Sequence, residues 1–146
     1  MKKNLLAVCL GIILTLSAFA STTSPDNKAL QHFKETFKGA EDVSWVSLGD
    51  FEEVKFTWSG ENMAVFYTQD GQYVATTRKI DFDALPLNAI VSIKKNYGGY
   101  TVTETAEVDH KEEGFGYYVS LDNGETKIIL RTSSEGDISL FKKEKL

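Results

Sequence analysis

The sequence predicts an α+β fold, a tandem repeat of a helix followed by a four-stranded antiparallel meander, with the helices packed on one face of the sheet. Three observations predict it. Leu85 to Tyr100 reads as a short amphipathic helix, with Ala89, Ile90, Ile93 and Tyr97 at the spacing that puts them on one face. Strand-like segments with period-two alternation follow it. The same order of helix and strands occurs once before, from Pro25 onward.

The chain opens with Lys2 and Lys3, an apolar run from Leu5 to Leu16 and Ala18-Phe19-Ala20, the three parts of a secretory signal peptide cut after Ala20. The apolar run is short for a membrane span, so no span is expected once the signal is removed. Cys9 lies inside the run and leaves with it. The expected mature chain, residues 21–146, therefore has no cysteine, and its stability must come from packing. Losing Lys2 and Lys3 leaves fourteen basic residues against twenty-one acidic ones, a net charge of −7. That balance argues against nucleic acid and anionic membrane as partners.

The mature part reads as one compact domain of two repeats, about 24–80 and 84–143. In the first, Ser24-Pro25-Asp26 is a helix start, with serine as the cap and proline at the first position. Leu30, Phe33 and Phe37 form its stripe, and Gly39 its stop. His32 sits at the edge of that stripe and is read as a solvated or capping side chain. Val43 and Trp45, then Val54, Phe56 and Trp58, then Ala64 and Phe66, then Tyr73 and Ala75 mark four strands. Gly49-Asp50, Ser59-Gly60 and Asp70-Gly71 are the turns between them. They lack the ligand spacing of calcium loops.

In the second repeat, Pro86 suits the first helical turn and Gly98-Gly99 offers a left-handed stop. Leu30, Phe33, Phe37 and Gly39 superpose on Ile90, Ile93, Tyr97 and Gly99 at a constant offset. Val54, Phe56 and Trp58 then match Tyr117, Val119 and Leu121, while Ala64 and Phe66 match Ile128 and Leu130. The offset grows only across loops, where insertions are tolerated. The largest insertion, Asp109 to Gly116, gathers Asp109, His110, Glu112 and Glu113. Consecutive polar residues at a hairpin tip read as a solvated loop rather than a metal site.

A signal peptide, then F-x-G-A-x-x-V-x-W (Phe37, Gly39, Ala40, Val43, Trp45), a D-G turn, L-P and a helix ending N-Y-G-G resemble the PepSY-like proteins. These are small exported bacterial proteins also likened to the β-lactamase inhibitor protein. The resemblance covers nearly all the mature chain. It implies helix-plus-antiparallel-sheet units and, more weakly, a binding or peptidase-inhibiting role. It transfers no functional residue position by position.

No G-x-S-x-G, HExxH or Walker-type loop is present, and the two histidines are the sole imidazole bases. The expectation is a noncatalytic protein without cofactor or metal. If Val54, Phe56, Ala64 and Phe66 face the helices, then Lys55, Val65 and Tyr67 share the open sheet face, with Tyr118, Ile129 and Arg131 as their counterparts. Tyrosine, aliphatic and basic groups together suit a recognition surface, although strands favour such residues in any case. The function expected is an exported binding module, periplasmic or secreted, acting as inhibitor of or adaptor to a cell-envelope peptidase or other enzyme. Its partner would be a protein or peptide of the cell envelope. A small-ligand carrier or sensor and a homo-oligomeric envelope structural protein are the alternatives.

Overall fold

The computed structural model of the protein describes residues 24–146. The expected signal peptide, its cleavage point and residues 21–23 lie outside the described residues. Helix α1 (Asn27–Thr36) leads into β1 (Glu41–Leu48), β2 (Phe51–Trp58), β3 (Glu61–Thr68) and β4 (Tyr73–Lys79). A 3₁₀ turn (Phe82–Ala84) and helix α2 (Leu87–Asn96) precede β5 (Thr101–His110), β6 (Gly114–Asp122), β7 (Thr126–Thr132) and β8 (Ile138–Lys145).

The strands correct the expected architecture. They form one eight-stranded antiparallel sheet in the order β1 to β8, not a tandem repeat of helix plus four-stranded meander. Alternating hydrophobicity locates strands but carries no signal for where a sheet ends. A meander edge left open is ready to accept the next strand. By packing, the described chain divides into two compact units, residues 24–77 with 110–112, and residues 78–109 with 113–146.

In the first unit, α1 begins two residues later than expected. Asp26, not Ser24, is the cap, and its carboxylate accepts from the Lys28 N–H at 2.8 Å. Glu52, buried on β2, accepts from the Asp26 N–H at 3.3 Å, which puts its negative charge at the positive end of the helix. The apolar face of α1, Ala29 and Phe33 with Phe37 just beyond, packs on Val54, Phe56, Val65 and Tyr67.

In the second unit, Ala89 and Ile93 of α2 join Leu85 and pack on Val119, Leu121, Ile128 and Leu130. The expected glycine stop is corrected here. Helix α2 ends at Asn96 with Tyr97 as its cap, and neither Gly98 nor Gly99 has a positive φ. The chain instead closes through the Tyr100 N–H donating to the Tyr97 carbonyl at 2.9 Å.

One register decides the core of the first unit. Ser59 and Gly60 are the whole β2–β3 connection, with φ of 53° and 81°. Two left-handed residues in a two-residue loop give the tight hairpin whose twist matches its strands. Trp58 therefore sits opposite Glu61, and Val54 opposite Val65. Residues directly opposite share a face, so Val65 and Tyr67 point at α1, while Ala64 and Phe66 point away with Glu53 and Lys55. The expected assignment of β3 is reversed. Its run Met63-Ala64-Val65-Phe66-Tyr67 is apolar at both parities, so alternation could not choose.

The β3–β4 turn is held against the start of α1. Gly71 has φ of 80°, and a Cβ there would lie 2.9 Å from the Lys28 Cβ and 3.1 Å from the Ala29 amide nitrogen. Gly49, with φ of 70°, has open space around it. Gly71→Ala should therefore lower unfolding free energy by about 2–4 kcal/mol, backbone strain plus overpacking, against about 1–2 kcal/mol for Gly49→Ala. Urea denaturation of the two variants checks the difference; equal losses would show that the turn does not bear on α1.

Candidate functional site

The first unit concentrates aromatic side chains between α1 and the sheet. Phe33 meets Phe56 edge-on at 4.9 Å and Trp45 edge-on at 5.6 Å. Phe37 stands edge-on to Trp58 at 5.5 Å, and Trp45 stacks on Tyr67 at 5.8 Å. These offset and perpendicular contacts are the favourable ones for aromatic rings. The Trp58 indole N–H donates to the Lys38 carbonyl at 3.0 Å and so holds the segment that leaves the helix.

Between that segment and β1 the packing leaves a groove of about 340 Å³. Leu30, Phe33, Phe37, Val43 and Trp45 line it with apolar surface, and Lys34 and Lys38 are its two charged lining residues. A bulge helps to form it. Between Glu41 and Ser44 the β1–β2 register shifts, and Asp42 has a φ of 52°. Bulges bend a strand and re-aim its side chains. Val43, at the bulge, stays 42% exposed. Among the groove's lining residues there is no carboxylate, hydroxyl, thiol or imidazole.

Tyr67, expected on the open face, is fully buried in the first unit's core. Its hydroxyl lies 2.9 Å from His32 Nδ1, and His32 also packs beside Tyr73 at 5.4 Å. A buried phenol needs a partner, and the exposed imidazole supplies it. Burial, reinforced by Tyr73, pushes the Tyr67 phenol well above its ordinary range. His32 thus has a capping role, and its partner is the residue that had been assigned to the opposite face.

The remaining residues expected on the open face fall as follows. Val65 is core, against α1. Lys55 lies on the face away from α1, with its ammonium 3.5 Å from Glu53 Oε2. Tyr118 and Arg131 are directly opposite each other on β6 and β7, as are Ser120 and Ile129, on the face away from α2. Tyr118 is only 4% exposed. Phe141 meets it edge-on at 5.3 Å, and the Arg131 guanidinium lies 6.0 Å from its ring centre. Burial raises the Tyr118 phenol to about 12, with Arg131 opposing and Glu113 adding to the shift. Arg131 is held by the Glu113 carboxylate at 3.3 Å and the Glu113 carbonyl at 3.1 Å. Within the second unit these residues serve one another's packing. Tyr118 and Ile129 are buried, while Arg131 keeps 33% of its side chain exposed.

The loop expected from Asp109 to Gly116 is also shorter than read. Strand β5 continues through His110, which is buried and whose Nδ1 accepts from the Glu112 N–H at 3.1 Å. Among the described residues no group of three or more His, Cys, Asp or Glu side chains converges as a metal site needs.

The groove residues were not assembled by sequence reasoning. Lys34 is in the last turn of α1 and Lys38 lies two residues beyond its end, so helical spacing alone does not bring them together. The bulge that leaves Val43 beside Trp45 had no signal in the sequence.

No family model matches the sequence, and no curated protein matches it significantly. Solved structures do. A DUF2874 family protein from Bacteroides ovatus has a TM-score of 0.72 at 20% identity, covering 84% of this chain and 89% of its own. A BLIP-like protein from Bacteroides fragilis has a TM-score of 0.70 at 16% identity, covering 85% and 88%. A protein from Bacteroides eggerthii, provisionally described as periplasmic, has a TM-score of 0.72 at 13% identity, covering 84% and 90%. The chain has a BLIP-like fold.

Two stability predictions arise from the buried polar groups. His32→Ala strands the Tyr67 hydroxyl in the core and should cost about 1–3 kcal/mol, whereas Tyr67→Phe leaves only an exposed imidazole to water and should cost less, about 1 kcal/mol. Urea midpoints of the two variants rank them; the opposite order would mean that the hydroxyl is satisfied elsewhere. Glu53 is fully buried, and burial raises its pKa above the ordinary 4.5, with Lys55 only partly opposing. The folded chain then holds this proton more tightly than the unfolded one. Stability falls as pH rises from the unfolded value towards the raised folded one, and the deficit persists above both. Glu53→Gln should therefore raise the melting temperature at pH 7.5, with the gain shrinking at pH 4. An equal gain at both values would remove ionisation as the cause.

Proposed function

We propose that this chain is a noncatalytic binding module of the cell envelope, working in the periplasm and holding a protein or peptide partner. The observation that carries the reading is the groove beside α1. It has apolar and aromatic walls with two lysines, and no carboxylate, hydroxyl, thiol or imidazole in its lining. A concave apolar recess with few, localised polar groups is the usual form of a binding site.

The periplasmic assignment is supported by the signal-peptide pattern of residues 1–20 and by the fold shared with the Bacteroides eggerthii protein. The BLIP-like fold, together with the motif string from Phe37 to Trp45, supports placement beside the PepSY-like exported proteins. It also supports a role as inhibitor of, or adaptor to, an envelope peptidase or other enzyme. The groove volume lies near the lower end of small-molecule sites, which favours ligand carriage as a second reading.

A photo-crosslinking amino acid placed at Val43 and, separately, at Leu140 on β8 tests the proposal in intact cells; both positions are exposed. A discrete adduct from position 43 and none from position 140 is the expected result. Equal labelling from both, or none from either, would remove the groove as the binding site. Native mass spectrometry of protein taken from its own periplasm separates the second reading, which requires a bound small mass.

A further inference from the structure

The groove's chemistry specifies its occupant more narrowly, provided the groove is the binding site. We infer that it takes the free C-terminal end of an extended polypeptide whose last residue is aliphatic or aromatic.

Three features point to this ligand. First, two lysines, Lys34 and Lys38, are among the lining residues of an otherwise largely apolar recess. Neither makes an ion pair with another described residue. Two full positive charges exceed the roughly half-unit negative charge of the α1 C-terminus beside them, while Glu41 and Asp42, exposed at the start of β1, make that end negative, so a carboxylate is drawn to the lysine side alone. The chain as a whole is acidic, at −5, which makes this local pair an exception to its field. Second, Leu30, Phe33, Val43 and Trp45 give the recess apolar walls for one side chain of substantial size. A carboxylate joined to an apolar group matches both.

Third, β1 is the terminal strand of the sheet, so half of its backbone N–H and C=O groups point away from β2. A polypeptide laid beside it can pair with those groups, as an added strand does, whereas an acyl chain cannot. The bulge between Glu41 and Ser44 interrupts that edge. It disfavours a long strand running past the groove and suits a chain that stops there. The negative Glu41 and Asp42 leave the lysine side as the seat of the carboxylate.

Trp45 lines the groove and reports its occupancy by fluorescence. The probe is a pentapeptide of four alanines ending in phenylalanine, N-acetylated, titrated in free-acid and C-terminal amide forms. The acid form should bind about tenfold more tightly than the amide, with the advantage falling as salt rises. Lys34→Gln with Lys38→Gln should erase the difference between the two forms, and circular dichroism should show the fold intact. Val43→Glu should abolish binding of both.

Equal binding of acid and amide would overturn the carboxylate assignment. Tighter binding of dodecanoate than of the acid peptide would overturn the polypeptide assignment. A second copy of the chain as occupant would appear in light scattering as a dimer dispersed by Val43→Glu, and would overturn it as well. Absence of peptide binding together with a discrete adduct from position 43 would defeat this inference and leave the binding-module reading standing; absence of both would defeat the two together.

Discussion

The packing of the first unit depends on one backbone constraint, the two left-handed residues Ser59 and Gly60 that join β2 to β3 with nothing between. A hairpin of that length has a single natural register, and the register sends every side chain of β3 to one face or the other. It brings Val65 and Tyr67 under α1 to complete the ring cluster around Phe33 and Phe56. A slip of one residue would exchange Tyr67 for Phe66, leave His32 without its hydroxyl partner and remove the stacking surface behind Trp45. The groove's wall would go with it. Local turn geometry therefore governs a surface feature several residues away in sequence.

Much of this was legible in the residues, though unevenly. The two helices, the strand segments and most turns follow from spacing, glycine placement and alternation. On β6, Tyr118 and Ser120 alternate with Val119 and Leu121, and on β7 Lys127 and Arg131 frame an alternation broken only by Ile129; the face assignment there agrees with the register. On β3, Ala64, Val65, Phe66 and Tyr67 are all apolar, and hydrophobicity alone gave the wrong parity. The information was present in the turn: a two-residue Ser-Gly loop already places Val65 opposite Val54. The single sheet was hidden for a different reason, since pairing between strands distant from a turn is a tertiary outcome.

The candidate site was less legible still. Its residues come from a helix, the segment after it and an edge strand whose bulge is set by a non-glycine residue with positive φ, Asp42. No composition rule marks such a bulge. The histidine readings show the same limit. His32 has a specific packing partner, and His110 is buried at the end of β5, because burial depends on what other strands bring alongside.

The two ends of the sheet differ in a way that bears on assembly. β1 is interrupted early but leaves Trp45 to Leu48 in regular pairing with β2, while β8 carries Lys142, Lys143, Glu144 and Lys145 along an exposed rim. Growth by edge-to-edge strand pairing needs two receptive edges, one for each neighbour. A molecule with one charged edge does not propagate that process: two copies that pair through β1 leave only their charged β8 edges outward. The fold can therefore offer an accepting edge at β1 without a second receptive edge at β8.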